Sequence, residues 1–283
     1  MSRVINGDIV LDADPEKPEL FRLDHILVEK RPEYNRSTLQ TFIKSGFVEV
    51  DGKVVKKPNT KVEKTAKIVL NAPKKAKKLE KLKTIFEDEN VLVIDKPAGL
   101  LSMAKGEYCP EPTLEDYGLL VHRLDRDTSG VVILAKNEKT QKMLRKQFQD
   151  RKTHKTYYAI VEGRPKLDEA MIDLPIARNL KHPTTFQVDP KGKEAKTHYK
   201  VLKTDGKLSL IELKPESGRT HQLRVHLKYI GTPILGDPVY GSGKKTPRLF
   251  LHAKELEITI PGEKENRRKT FKSDLPKEFE NVL

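Results

Sequence analysis

The chain has 283 residues, with 55 Lys and Arg against 41 Asp and Glu, a formal charge of +14, one cysteine and no tryptophan. That length carries one sizeable core plus a small accessory domain, and so large a positive excess points to a polyanionic partner, nucleic acid being the commonest. Cys109 alone excludes an intrachain disulfide or a cysteine-rich zinc site, and the scarcity of aromatic residues argues against an extended base-stacking platform. With no apolar run long enough to span a bilayer and no signal-peptide core, a cytoplasmic protein without membrane partners is expected.

Residues 1–20 are polar, rich in Asp, Glu and Pro, and read as an extension. From Phe21 the pattern tightens. Leu23, Ile26 and Leu27 are spaced for one face of a short helix. Pro32 breaks the chain, and Ser37 is expected to cap a second helix with Leu39, Phe42 and Ile43 on its inner face. Gly46 ends that helix. Phe47–Val50, Asp51-Gly52 and Lys53–Val55 then form a predicted hairpin, since Asp-Gly supplies the positive φ angles of a tight turn.

Arg22-Leu23-Asp24, Arg36-Ser37, the run from Ile43 to Val48, and Asp51-Gly52-Lys53 together resemble a small RNA-binding module first described in a small-subunit ribosomal protein, the S-four type. The resemblance is assigned to residues 21–72. It implies that Arg22, Arg36 and Lys44, with Arg31 beside them, face structured RNA, where guanidinium groups on rigid helices contact phosphates and shape. Residues 73–83 hold six lysines and one glutamate and read as a basic linker.

A second domain is expected over residues 84–283. Val91–Ile94 is a predicted buried strand, and Asp95–Gly99 turns the chain through Pro and Gly. Then comes the stretch His122-Arg123-Leu124-Asp125-Arg126-Asp127-Thr128-Ser129-Gly130, a polar knot running into the β-branched strand Val131–Ala135. By itself this is a tight turn entering a strand; docked on a core strand, such a knot also holds a carboxylate still. Glu138–Phe148 reads as a helix with Lys139, Lys142, Arg145 and Lys146 outside and Met143, Leu144 and Phe148 inside. In the strand Lys155–Gly163, alternation puts Tyr157 and Tyr158 on opposite faces. Glu194–Leu202 and Lys207–Leu213 pair across Asp205-Gly206. Leu223, Leu227 and Ile230 share a helical face, which puts Arg219 near a helix start. His221 and His226 lie five apart rather than four and lack a third ligand, so no metal is expected.

The word His-Arg-Leu-Asp-x-x-Thr-Ser-Gly closely resembles the catalytic motif of RNA pseudouridine synthases of the RluA/RluD type. Lys155-x-Tyr157-x-Ala159-x-Val161-x-Gly163, Gly218–Arg224, Ile230–Gly241 and Leu249–Ala253 continue that resemblance in family order. It implies an α+β fold: a catalytic domain on a mixed, mainly antiparallel central sheet with flanking helices and loops, beside the small α/β S-four-type module. It implies Asp125 as the catalytic carboxylate, Tyr157 stacking on the target base, and Arg219 pairing with Asp125, where a cation favours the charged form and fixes its direction. Arg123 would fill the place of the extruded nucleotide, Leu223 would pack near the base, and His122 would contact substrate. Lys96 is expected in a turn at the floor of the site, at most a secondary RNA contact.

The implied reaction breaks the uridine glycosidic bond, turns the uracil, and rejoins it through carbon five of the ring. As an isomerisation it needs no cofactor and no metal, but it needs a carboxylate at the sugar–base junction and a flipped-out base. The expected partner is RNA, large-subunit ribosomal RNA first and transfer RNA second, bound by a monomer. The alternatives are a noncatalytic RNA-binding or ribosome-assembly protein, and a nucleoside hydrolase, which would release free uracil.

Overall fold

The computed structural model describes residues 3–5, 8–10, 19–72, 82–104, 109, 111–244 and 246–282. The chain divides into two compact units, Met1–Ala76 with Ala104–Glu111, and Lys77–Met103 with Pro112–Leu283. Within the extension, Arg3–Ile5 and Asp8–Val10 pair as antiparallel strands. Most of the expected linker, residues 73–81, lies outside the described residues.

In the first unit α1 (Leu23–Lys30) and α2 (Arg36–Lys44) pack through the predicted apolar faces. Leu23, Ile26 and Leu27 meet Leu39, Phe42 and Ile43, with Val48 and Val62 completing the core. The cap of α2 differs from expectation. Asn35, in extended backbone, accepts a hydrogen bond from the Thr38 N–H, whereas Ser37 lies inside the helix and donates its hydroxyl to Asn35 Oδ1. Both residue types cap well; the one whose backbone stays extended takes the role. Val48–Val50 and Lys53–Val54 form the hairpin, and Asp51 (φ 49°) and Gly52 (φ 76°) are both left-handed, as a two-residue turn requires.

The second unit is built on one ten-stranded sheet. Its strands are β1 (Lys83–Glu87), β2 (Val91–Lys96), β3 (Leu119–Leu120), β4 (Ser129–Ala135), β5 (His154–Glu162), β6 (Glu169–Asp173), β7 (Lys196–Thr204), β8 (Leu208–Pro215), β9 (Leu251–Ile260) and β10 (Arg267–Lys272). The order across the sheet is β6-β7-β8-β5-β9-β4-β2-β1, with β3 added beside β4 and β10 beside β9. Only β4 and β9 run parallel among the described pairings of this sheet. The expected mixed, mainly antiparallel sheet is therefore present, flanked by α3 (Glu138–Gln149) and α4 (Gln222–Tyr229).

Strand β4 is buried along its whole length. Its alternate residues feed opposite faces: Val131 and Ile133 pack with Leu144 of α3, while Val132 and Leu134 pack with Ile94, Leu114 and Leu124. In the other half of the sheet, Ala159, Val161, Ile211 and Leu213 are covered by Leu223 and Leu227 of α4.

The two halves meet where Ser129 pairs with His252 and Gly130 with Ala253. Gly130 has φ +112°, and a Cβ there would run into the Ala253 backbone. Only glycine lets the end of the polar knot lie this close to β9. Gly130→Ala is expected to cost about 3 kcal/mol or more, read as a lowered melting temperature; a wild-type melting curve would show that the seam tolerates a side chain.

Candidate active site

The knot Val121–Thr128 enters β4 as a loop pinned on several sides. The Ser102 hydroxyl donates to the Leu124 carbonyl (2.7 Å) and accepts from the Leu124 N–H (3.1 Å). Lys96 is fully buried and donates to the carbonyls of Pro97 (2.9 Å) and Arg126 (2.8 Å), while Gly99 N–H donates to the same Arg126 carbonyl (2.9 Å). Burial pulls the Lys96 ammonium down to about 7 against the opposing charges of Asp127 and Asp125. Lys96 is thus an internal strut; lysine reaches inward here because two carbonyls replace its water.

A cavity of about 490 Å³ opens between this loop, β5 and the segment leading into α4; Arg123, Asp125, Lys155, Tyr157, Arg219 and Leu223 lie in its wall. Asp125 is partly exposed, and its Oδ2 accepts a hydrogen bond from Arg224 Nη1 at 3.2 Å. The expected partner, Arg219, is elsewhere: its Nε donates to the Glu194 carbonyl (3.0 Å) on the rim. The reason is local. Gln222, the first residue of α4, ties back to the Arg219 N–H and the Ser217 hydroxyl, so Arg219 stays in the preceding loop. Arg224 lies within the first turn of the helix, next to inward-facing Leu223, and is directed into the cleft floor.

Arg224 is almost fully buried and is held by a second acid that the sequence reading did not single out. Its Nε and Nη2 donate to the two oxygens of Asp237 (2.7 and 2.8 Å), and Asp237 Oδ1 also accepts from the N–H groups of Val239 and Tyr240 (both 2.9 Å). The Tyr240 ring lies 5.1 Å from the guanidinium. Burial works against both charges, and the paired hydrogen bonds outweigh it: the Arg224 guanidinium is held above its ordinary value and the Asp237 carboxyl below.

Tyr157 and Lys155 share one face of β5 and both line the cavity. The ladder between β5 and β9 shifts register here, Thr156 pairing with Glu255 but Tyr157 with Ala253, so Lys254 is the extra residue of a bulge. Burial, then the charge of Asp125, pushes the Tyr157 phenol well above its usual value, so it stays protonated. The Lys155 ammonium donates to the Ser217 carbonyl (3.2 Å) and is pulled down to about 8 by burial and by Arg151. Leu223 closes the cavity from α4.

Arg123 is exposed at the mouth, its Nη2 donating to the Thr220 hydroxyl at 3.1 Å. His122, expected to touch substrate, lies in the cavity wall and is also held by structural contacts. Its Nε2 accepts the Ile133 N–H (3.1 Å) and its ring stacks on Phe148 at 4.6 Å. His226, weighed as a metal ligand, has both ring nitrogens engaged, by the Thr197 hydroxyl (3.0 Å) and the Leu174 carbonyl (2.9 Å).

In the first unit, Arg22 and Arg36 converge on Asp24, which is fully buried. Arg22 donates to both its oxygens (3.0 and 3.2 Å), and Arg36 (2.9 and 3.1 Å) and Gln40 (2.7 Å) donate to Oδ2. Burial opposes the charge on Asp24, but these bonds hold its carboxyl far below the usual range. The acid thus sets the direction of two half-exposed guanidinium groups, while Lys44 is exposed at the end of α2.

Comparison with known proteins identifies the family. The family described as RNA pseudouridylate synthase matches residues 90–229, and the S4 domain matches residues 21–68. An uncharacterized RNA pseudouridine synthase of Aquifex aeolicus is 38% identical over 244 residues, 78% of this chain and 77% of the relative. Ribosomal large subunit pseudouridine synthase D of Borreliella burgdorferi is 36% identical, covering 93% of this chain and 89% of its own. Among solved structures, Human RNA Pseudouridylate Synthase Domain Containing 1 superposes with a TM-score of 0.59 at 28% identity, over 69% of this chain and 84% of that one. The chain belongs to the RNA pseudouridine synthase family. It is an enzyme that isomerises uridine to pseudouridine in RNA, with an RNA-binding S-four-type domain ahead of its catalytic domain.

Two stability tests follow from the geometry. Arg224→Met strands the buried Asp237 carboxylate and is expected to cost about 3–5 kcal/mol, whereas Arg219→Met on the rim stays within about 0.5 kcal/mol; equal losses in chemical denaturation would contradict the assigned pairing. Burial, with Lys155 adding, depresses the His122 imidazole to about 3. Between pH 6.5 and 3 the unfolded chain binds that proton and the folded one does not, so this contribution is complete above pH 6.5 and is lost as pH falls. His122→Gln should flatten the drop in melting temperature from pH 7 to 4, and an unchanged slope would count against it.

Proposed function

We propose that this synthase modifies large-subunit ribosomal RNA, with Asp125 as the carboxylate that works on the extruded uridine. The observation carrying the assignment of Asp125 is its anchorage: a partly exposed carboxylate, bonded through Oδ2 to a buried Arg224, facing a cavity it shares with Tyr157. The support for the substrate is threefold: a charge of +14, an S-four-type module with two guanidinium groups fixed on a buried acid, and similarity along most of the chain to relatives named for the ribosomal large subunit, including one from Pseudomonas aeruginosa at 36% identity.

In this reading the uridine leaves its stack, at a cost of a few kcal/mol, and Arg123 at the cleft mouth occupies the vacated place, its planar guanidinium able to stack and hydrogen-bond together. The uracil lies on Tyr157, whose protonated phenol adds no charge near the ribose, and against Leu223. As the bond between ribose and ring nitrogen breaks, positive charge grows on the sugar and the Asp125 carboxylate stabilises it. The freed ring turns within the cavity, carbon five bonds to the ribose, and the proton lost from that carbon is balanced by one gained at the ring nitrogen. Attack by the carboxylate on the sugar and removal of a sugar proton make the same demand on Asp125: an ionised oxygen of fixed direction.

Asp125→Asn should abolish pseudouridine formation on a large-subunit RNA transcript while changing RNA affinity by less than about threefold; a variant that still turns over would remove Asp125 from this role. Maps of pseudouridine in cells with and without the gene should lose sites in large-subunit ribosomal RNA, and a loss confined to transfer RNA would overturn the substrate.

A further inference from the structure

Among the groups in the cleft wall that the mechanism leaves unused, His221 lies beside Asp125. His221 precedes α4 with left-handed backbone, φ 56° and ψ 18°, a conformation costing a residue with a Cβ about 1 kcal/mol or more. Its ring is held between the edges of Phe186 and Tyr240, with centroids at 5.6 and 5.5 Å. Its Nδ1 lies 2.8 Å from the Tyr240 hydroxyl, and its Nε2 lies 3.9 Å from Asp125 Oδ2.

The proton positions follow from counting donors. The Phe186 N–H donates to the Tyr240 oxygen at 2.9 Å. The hydroxyl hydrogen then has one acceptor among the described residues, His221 Nδ1. A neutral imidazole that accepts at Nδ1 carries its proton at Nε2, the nitrogen facing Asp125. Burial favours this neutral form: it lowers the imidazole below its ordinary value, the charges of Asp125 and Asp237 opposing and those of Arg224 and Arg123 adding.

We propose that His221, its tautomer set by the Tyr240 hydroxyl, is a positioning residue for the reaction: its Nε2–H and Arg224 together hold Oδ2 of Asp125, leaving Oδ1 as the oxygen that meets the ribose. Arg224 and His221 approach the same oxygen, and Oδ1 has no hydrogen-bond partner among the described residues. At 3.9 Å the histidine contact is not yet a hydrogen bond, and catalytic contacts of this kind commonly tighten when substrate closes the site. Phe186 belongs to the strand Phe186–Val188, paired with Ile176–Arg178. This small two-stranded sheet outside the main one therefore helps to set the proton facing the Asp125 carboxylate.

The proposal rests on Asp125 being that carboxylate, and the test separates the two. In the full-length protein labelled with ¹⁵N-histidine, and with His221→Gln used to assign the signal, the His221 ring should show protonated Nε2 and bare Nδ1. Tyr240→Phe should lose that preference. In turnover on a large-subunit RNA transcript, His221→Ala should lower kcat by about a hundredfold with KM within about threefold, the size of effect expected from a misdirected catalytic group. His221→Gln, whose amide N–H reaches toward the Nε2 position, should recover to within about tenfold of wild type. A proton on Nδ1 in the wild type, or a wild-type kcat in a folded His221→Ala, overturns the role of His221 while Asp125→Asn stays inactive. An active Asp125→Asn instead overturns the reading of the carboxylate.

Discussion

One guanidinium shared between two acids organises the catalytic unit. Arg224 gives two parallel bonds to Asp237 and a third to Asp125. Asp237 is buried and has backbone donors of its own, so it spends much of the cation's charge in fixing its orientation. What reaches Asp125 is a single directed bond rather than full neutralisation. The role proposed for Asp125, stabilising positive charge on a ribose, needs that balance: an oriented carboxylate that is still electron-rich at its free oxygen.

The rest of the unit keeps both ends of this bridge in place. On one side the knot carrying Asp125 is tied through Ser102, through the internal ammonium of Lys96, and through His122 to β4. On the other, α4 is fixed at its start by Gln222, which bonds Ser217, the Arg219 N–H and the Lys196 carbonyl. The family words are therefore mostly framework. Of the nine residues from His122 to Gly130, Asp125 and Arg123 are the charged groups that line the cleft, beside His122, Leu124 and Thr128, while Leu124, Ser129 and Gly130 also serve packing and register.

Much of this was legible in the chain. The words containing Asp125, Tyr157 and Leu223 named three residues that meet at one cavity; the family resemblance chose Tyr157 over Tyr158, and alternation put the two on opposite faces. The sequence reading went astray where one word offered two arginines. Arg219 and Arg224 flank the helix start, and choosing between them required knowing that the helix begins at Gln222. The apolar spacing held a clue, since Arg224 is adjacent to Leu223 and one turn before Leu227, on the flank of the buried face. Asp237, Tyr240 and the strand Phe186–Val188 left no such signal, because their approach to the cleft depends on contacts between distant parts of the chain. The same holds for Asn35 against Ser37: two good caps two residues apart, separated only by which backbone remains extended.

The parallel contact of β4 with β9 spans two residue pairs because β10 takes over the same edge of β9 from Glu255 onward. Asp125 belongs to the half-sheet on one side of that short contact, and Tyr157, His221, Arg224 and Asp237 to the half on the other. The cleft is thus a gap between two plates joined along a narrow strip, and the bond from Arg224 to Asp125 is a tie-rod across it. The distance between the Asp125 carboxylate and the Tyr157 ring is set by the angle between the plates, so a substitution far out on either plate that alters this angle reshapes the cleft without touching any residue in the cavity wall.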